Sequence, residues 1–202
     1  VLSNSITSLG SGVFSSCTSL QSPTLPSGIV SLPSSTFRDC SSLVNVVIPE
    51  SVKSIGSNAF RGCTSLTELD IPNGVSTIYD YAFDGCSNLL LSELPDGLTY
   101  IGSYAFQNCK SITVSSVPAS VTNLNMAAFY GCTSITSMDL SALESLTVLP
   151  VRLFRAASKL KSVKLPSSLT NIGSEAFYEC SSLDSIDLPE SLRMISYNAF
   201  CN

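Results

Sequence analysis

The stretches NAFRGCTSLTELDIP, residues 58–72, and EAFYECSSLDSIDLP, residues 175–189, say nearly the same thing in two distant parts of one chain. Working outward from the phenylalanine they share gives Phe14, Phe37, Phe60, Phe83, Phe106, Phe129, Phe154, Phe177 and Phe200. The spacing is 23 residues throughout, except that Phe129 and Phe154 are 25 apart. Self-similarity at a fixed period of about 20–50 residues is the mark of a solenoid, whose units cannot bury their apolar sides alone.

The other inward positions keep step. Three residues after the phenylalanine come Cys17, Cys40, Cys63, Cys86, Cys109, Cys132 and Cys180, with Ala157 as the one substitution. Six after it stands an aliphatic residue, from Leu20 to Leu183, and at eleven and twelve the usual pair is aliphatic then proline, as in Ile71-Pro72 and Leu188-Pro189. Val52, Ile55, Val75 and Ile78 typify the return to the next phenylalanine.

Spacing predicts the local structure. In SLTELDIP, residues 65–72, Leu66, Leu69 and Ile71 alternate with polar residues and Pro72 cannot donate to a ladder, so a short strand closed by proline is expected. SIGSNAF, residues 54–60, suits a turn or one to two helical turns. One parallel strand per unit would hold neighbours about 4.8 Å apart and stack nine units over roughly 40 Å.

IGSNAFRGCTSLTELDIP, residues 55–72, resembles the unit of the BspA-like leucine-rich repeats, and the resemblance runs along essentially the whole chain. It implies a repeat solenoid: a curved, right-handed leucine-rich-repeat stack with short parallel strands on the concave face and helical or irregular segments on the convex one. It also implies an extracellular or cell-surface module of microbial or protist origin that binds host or matrix molecules, with a protein or glycan partner. Between Phe129 and Phe154 the pattern breaks. Two residues are inserted, Ser141 replaces the proline, Leu153 replaces alanine and Ala157 replaces cysteine. A bulge or change of curvature is expected there, either as a binding irregularity or as drift in a tolerant repeat.

Composition narrows the partner. Of 202 residues, 44% are hydrophobic and only 12% charged, so serine and threonine supply most of the polar surface. A net charge of −5 and a pI near 4.6 argue against nucleic acid and against anionic membrane. No apolar run reaches the roughly 20 residues that cross a bilayer, and no signal peptide is legible, so no membrane insertion is expected. The chain opens at Val1, which implies processing or excision from a longer polypeptide. One solenoid of about nine units over residues 1–202, without polar caps, is expected, either as an excerpt of a longer surface protein or as a structural subunit of a filament, appendage or coat. Covering bare ends by head-to-tail self-association belongs to that second reading.

Eight cysteines invite a disulfide framework. Seven occupy one rung position, however, where parallel stacking would hold Cβ atoms about 4.8 Å apart against the ~3.8 Å a disulfide prefers. A ladder of buried thiols is expected, with Cys201 standing off it. Clustered ligands such as C-x-x-C are absent and so is histidine, so neither metal nor other cofactor is expected. The same lack of histidine removes the usual base for a serine nucleophile, and GSG at residues 10–12 and NG at 73–74 lack what a phosphate loop needs. A carboxylate pair such as Asp70 and Glu93 on an open face has no pocket to raise a pKa. A non-enzymatic protein is expected.

The strand face then carries the functional expectation. Ten residues after each phenylalanine the outward series reads Val1, Thr24, Val47, Asp70, Glu93, Ser116, Asp139, Lys164 and Asp187, with Glu68 and Asp184 beside it. Leu90 and Leu91 stand where polar residues are usual. Glu68, Asp70, Leu90, Leu91, Glu93, Asp139, Lys164, Asp184 and Asp187 are therefore the candidate partner-binding residues. They read either as a dock for a cationic protein segment, or for calcium, or as a solvated edge that keeps the stack soluble. The tyrosines near the phenylalanines, among them Tyr79, Tyr81, Tyr104, Tyr130, Tyr178 and Tyr197, would stack on sugars, anchor an interface or cover the core's edge.

Overall fold

The computed structural model describes residues 2–3 and 5–202; Val1, first of the outward series, lies outside them. The described residues form a parallel-strand solenoid with a period of about 23 residues, the leucine-rich-repeat stack expected, and contain no helix. None is therefore long and apolar enough to cross a membrane.

Among the described residues ten short strands punctuate the coil: β1 Ser31–Leu32, β2 Ser54–Ile55, β3 Thr77–Ile78, β4 Tyr100–Ile101, β5 Asn123–Leu124, β6 Ser137–Asp139, β7 Val148–Leu149, β8 Ser162–Lys164, β9 Asn171–Ile172 and β10 Met194–Ile195. All pairings are parallel, in the orders β1-β2-β3-β4-β5, β7-β9-β10 and β6-β8. Register follows the repeat, so Leu32, Ile55, Ile78, Ile101 and Leu124 face one another across successive rungs and are buried.

Two local expectations need correction. The regular ladder is built from the Ser-Ile step ahead of each phenylalanine, Ser54–Ile55 in SIGSNAF; the turn expected there holds for residues 57–60, and the helical turns do not form. The leucine–proline segment pairs through single bridges, Thr24 with Val47, Asn45 with Glu68 and Ser116 with Asp139, and lengthens to three residues only in β6 and β8. Helix is blocked at SIGSNAF because residues two before and two after the phenylalanine take left-handed backbone, as at Asn58 with φ 58° and Gly62 with φ 73°. Their N–H groups turn along the stack. Asn58, Phe60 and Gly62 donate to the carbonyls of Asp80, Ala82 and Asp84 in the next unit, at 2.7–3.0 Å.

Gly56 shows how tightly the units nest, since a Cβ there would lie 2.6 Å from the backbone of Pro33 and Ser34. The nine phenylalanines form one continuous stack, with ring centroids 5.1–5.9 Å apart, and Phe37 through Phe177 are fully buried. The widest step, 5.9 Å, falls between Phe129 and Phe154, where the two extra residues are inserted. Cys40, Cys63, Cys86, Cys109, Cys132 and Cys180 are buried free thiols of one core, as the ladder reading expected; Cys17, on the ladder, is exposed, as is Cys201.

Candidate functional site

Alternation along the leucine–proline segment decides what faces outward. Leu69 is buried and Ile71 half-buried, so Asp70 between them is exposed, as are Glu68 and Glu93. Asp70 and Glu93 line one shallow depression of about 250 Å³ together with Leu69, Asn73, Leu90 and Pro95. Asp70 also walls a second, with Glu50, Glu68 and Val47, and Glu93 walls a third with Asp96 and Ser116. Five carboxylates, Glu50, Glu68, Asp70, Glu93 and Asp96, thus border one run of adjoining hollows. Among the described residues none of them joins an ion pair. Val47, 81% exposed, and Leu90, 64% exposed, add apolar surface between the charges.

Leu91 lines the floor of the Asp70–Glu93 depression rather than projecting from it. It is only 8% exposed and packs in the core. In the units of Phe37 and Phe60 the inward residue ahead of the aliphatic–proline pair is Val46 or Leu69, nine after the phenylalanine. In the next two units Leu91 and Val114, eight after it, take that role. Two outward residues then separate the inward ones, Ser92 and Glu93 in one unit and Ser115 and Ser116 in the next. The extra outward residue is a bulge-like irregularity of the kind that re-aims side chains.

The remaining candidates lie apart from this group. Asp139 and Lys164, paired in register across β6 and β8, neutralise each other, with Lys164 Nζ 3.1 Å from Asp139 Oδ2. The Ser141 hydroxyl at 2.6 Å and its backbone N–H at 2.9 Å donate to Asp139 Oδ1 and, with Lys164, hold its carboxyl below the usual carboxylate range. Around that pair the surface is lined by Ser115, Ser116, Ser137 and Ser162. Asp184 and Asp187 are exposed one unit beyond Lys164.

A second cluster, beside the phenylalanine stack, was missed as a unit. Tyr81 stacks on Tyr104 with centroids 4.9 Å apart. Arg155 lies over Tyr178 at 4.5 Å and Tyr130 at 5.8 Å. Glu175 accepts from Arg152 Nε at 2.9 Å and from Arg155, and these bonds, that from Arg152 first, pull its carboxyl pKa down. Hydrogen bonding to Glu175 and then to the Tyr104 hydroxyl raises the Arg152 pKa in turn. The signal was available: Arg152, Arg155, Lys159, Lys161 and Lys164 are half of the ten lysines and arginines, in the unit that departs from the pattern.

A family model described as the BspA type leucine-rich repeat region matches in six copies, over residues 1–113 and 76–202. A leucine-rich repeat protein from Bacteroides ovatus is 31% identical with a TM-score of 0.82, over 87% of this chain and 48% of that one. This chain therefore spans about half of that protein's length. The T. pallidum leucine-rich repeat protein is also 31% identical, with a TM-score of 0.74, over 81% of this chain and 78% of that one. The pneumococcal vaccine antigen PcpA, 20% identical with a TM-score of 0.52 over 87% of this chain and 58% of that one, shares the fold alone. No curated protein matches the chain.

Proposed function

The chain belongs to the BspA-type leucine-rich repeat family, and from this we propose that it is a non-enzymatic recognition module, at a cell surface or outside the cell, that docks a cationic, partly apolar protein segment on its Asp70–Glu93 face. The observation that carries the reading is the run of five carboxylates without ion-pair partners among the described residues, interleaved with exposed Val47 and Leu90. Carboxylates on adjacent rungs repel, so a partner's lysines or arginines relieve a strain that the free stack carries. The field also steers such a partner toward the face at low ionic strength. Leu90 supplies the apolar contact around which binding energy concentrates. The rigid phenylalanine stack holds the face in register, which lowers the ordering cost of binding.

A synthetic peptide alternating lysine and leucine tests this. Its affinity for the Asp70→Lys/Glu93→Lys double variant should fall at least about tenfold, with an unchanged melting temperature, and wild-type binding should weaken as salt rises. Equal affinity for both proteins overturns the reading.

A further inference from the structure

The turn after the aliphatic–proline pair has two central residues, thirteen and fourteen places beyond the phenylalanine. In the units of Phe37, Phe60 and Phe83 they are Glu50-Ser51, Asn73-Gly74 and Asp96-Gly97. Val52, Val75 and Leu98 close these turns by donating to the carbonyls of Pro49, Pro72 and Pro95 at 2.9–3.0 Å. Glu50 and Asp96 are two of the five carboxylates that border the adjoining hollows. Asn73, exposed on the rung between them, lines the Asp70–Glu93 hollow itself. One neutral amide thus interrupts a row of acids.

Asn73 is also the one asparagine of the chain that a glycine follows. With no Cβ in the way, the Gly74 nitrogen reaches the Asn73 side-chain carbon unhindered. The fold leaves that nitrogen free, because the Gly74 N–H has no acceptor among the described residues. Elsewhere the corresponding group is held. Ala59, Leu89 and Cys109, which follow Asn58, Asn88 and Asn108, donate to the carbonyls of Gly56, Cys86 and Phe106 at 3.1–3.2 Å. The Lys53 ammonium lies over Gly74, 2.8 Å from the place a Cβ would take, where its charge stabilises an amide nitrogen that has lost its proton.

We propose that Asn73 is a site of spontaneous deamidation whose product completes the acidic row from Glu50 to Asp96. The Gly74 nitrogen gives its proton to solvent base and bonds to the Asn73 side-chain carbon. The bond from that carbon to the amide nitrogen breaks, and ammonia leaves with a proton taken back from solvent. Water then opens the cyclic imide at either of its carbonyls, leaving an aspartyl or an isoaspartyl residue. Both products exchange a neutral amide for a carboxylate. The aspartyl form keeps the main chain. The isoaspartyl form threads an extra carbon into it, where the Asn73 carbonyl oxygen already lies 2.8 Å from the place of a Gly97 Cβ. The modification stands on its own chemistry; its effect, tighter docking of a cationic segment, rests on the Asp70–Glu93 reading.

Incubation of the whole folded chain in mildly alkaline buffer, followed by peptide mapping in the mass spectrometer, tests the site. Residue 73 should become a mixture of aspartyl and isoaspartyl forms, the latter made only through the ring, while Asn58 and Asn88 remain amides. Gly74→Ala should slow the conversion at least about tenfold. Asn73→Gln, one carbon too long for that ring, should keep its amide. Asn73→Asp carries the charge of the product and should bind the lysine–leucine peptide about threefold more tightly than the parent at low salt. Retention of the Asn73 amide, conversion no faster than at Asn58, or an unchanged rate in Gly74→Ala overturns the site. Parent-like affinity of Asn73→Asp, where Asp70→Lys/Glu93→Lys has lost binding, overturns its part in docking. If that double variant also binds like the parent, the docking face is what fails, and the conversion alone decides the site.

Discussion

The thiol of Cys86 donates to the carbonyl oxygen of Phe60, one unit earlier, at 3.0 Å. The same bond joins Cys40 to Phe14, Cys63 to Phe37, Cys109 to Phe83, Cys132 to Phe106 and Cys180 to Phe154, at 2.9–3.1 Å. Five of these six carbonyls also accept the N–H of their own unit's cysteine, as Phe60 accepts that of Cys63, and Phe154 accepts that of Ala157. The cysteine is thus a small apolar filler that also occupies the carbonyl's second lone pair. Ala157 cannot make this bond, and the ring step beside it, Phe129 to Phe154, is the widest in the stack.

Cys86→Ala should cost about 1–2 kcal/mol, the sum of a small cavity and a lost weak hydrogen bond. Cys86→Leu should cost about 1–3 kcal/mol through overpacking. Urea unfolding of the two variants against the parent measures both.

Thiol chemistry should divide the cysteines sharply. In the native protein a disulfide-exchange reagent should modify Cys17 and Cys201, which are exposed, and reach the six buried thiols only on unfolding. Mass spectrometry of the labelled chain gives the sites directly.

Alkali should destabilise the stack. Burial pushes the thiols of Cys63 and Cys180 up to about 12 and raises that of Cys86 well above its ordinary value. Folding therefore retains protons that the unfolded chain releases near pH 9. Stability is intact below about pH 9 and falls as pH rises toward about 12, by about 1.4 kcal/mol per pH unit for each thiol. Unfolding midpoints measured from pH 7 to 11 should show the decline, and replacing a buried cysteine with alanine should make it shallower.

Gly56→Ala should cost about 1–3 kcal/mol, because the new Cβ meets the backbone of the preceding unit at 2.6 Å. Gly10→Ala, where nothing lies within 4 Å, should change stability by less than about 0.5 kcal/mol. Thermal unfolding of the pair separates crowding from a general intolerance of alanine.

The period, the phenylalanine stack and the buried thiols were legible because identical residues at a fixed spacing have one way to bury themselves together. The division of each unit between ladder and turn was not. Short-range spacing in SIGSNAF allows a helical turn, and only the neighbouring unit's carbonyls, which draw the N–H groups of Asn58 and Gly62 out of any helix, decide against it. The inward turn of Leu91 was not legible for a related reason: a fixed offset from Phe83 cannot register that the chain turns inward one residue early. Asp139 and Lys164 stood on adjacent rungs with opposite charges, so their pairing could have been read from the outward series itself. The Tyr81–Tyr104 stack and the reach of Arg152 to Glu175 and Tyr104 needed the direction of a left-handed residue, which residue spacing does not carry.

The most direct test of the Asp70–Glu93 face is amide hydrogen exchange of the whole chain with and without the lysine–leucine peptide. The account predicts slowed exchange in residues 68–73 and 90–96, with the turns around Phe154 and Phe177 unchanged. Slowing confined to those turns, or absent from residues 68–96 in a complex known to be saturated, would contradict it.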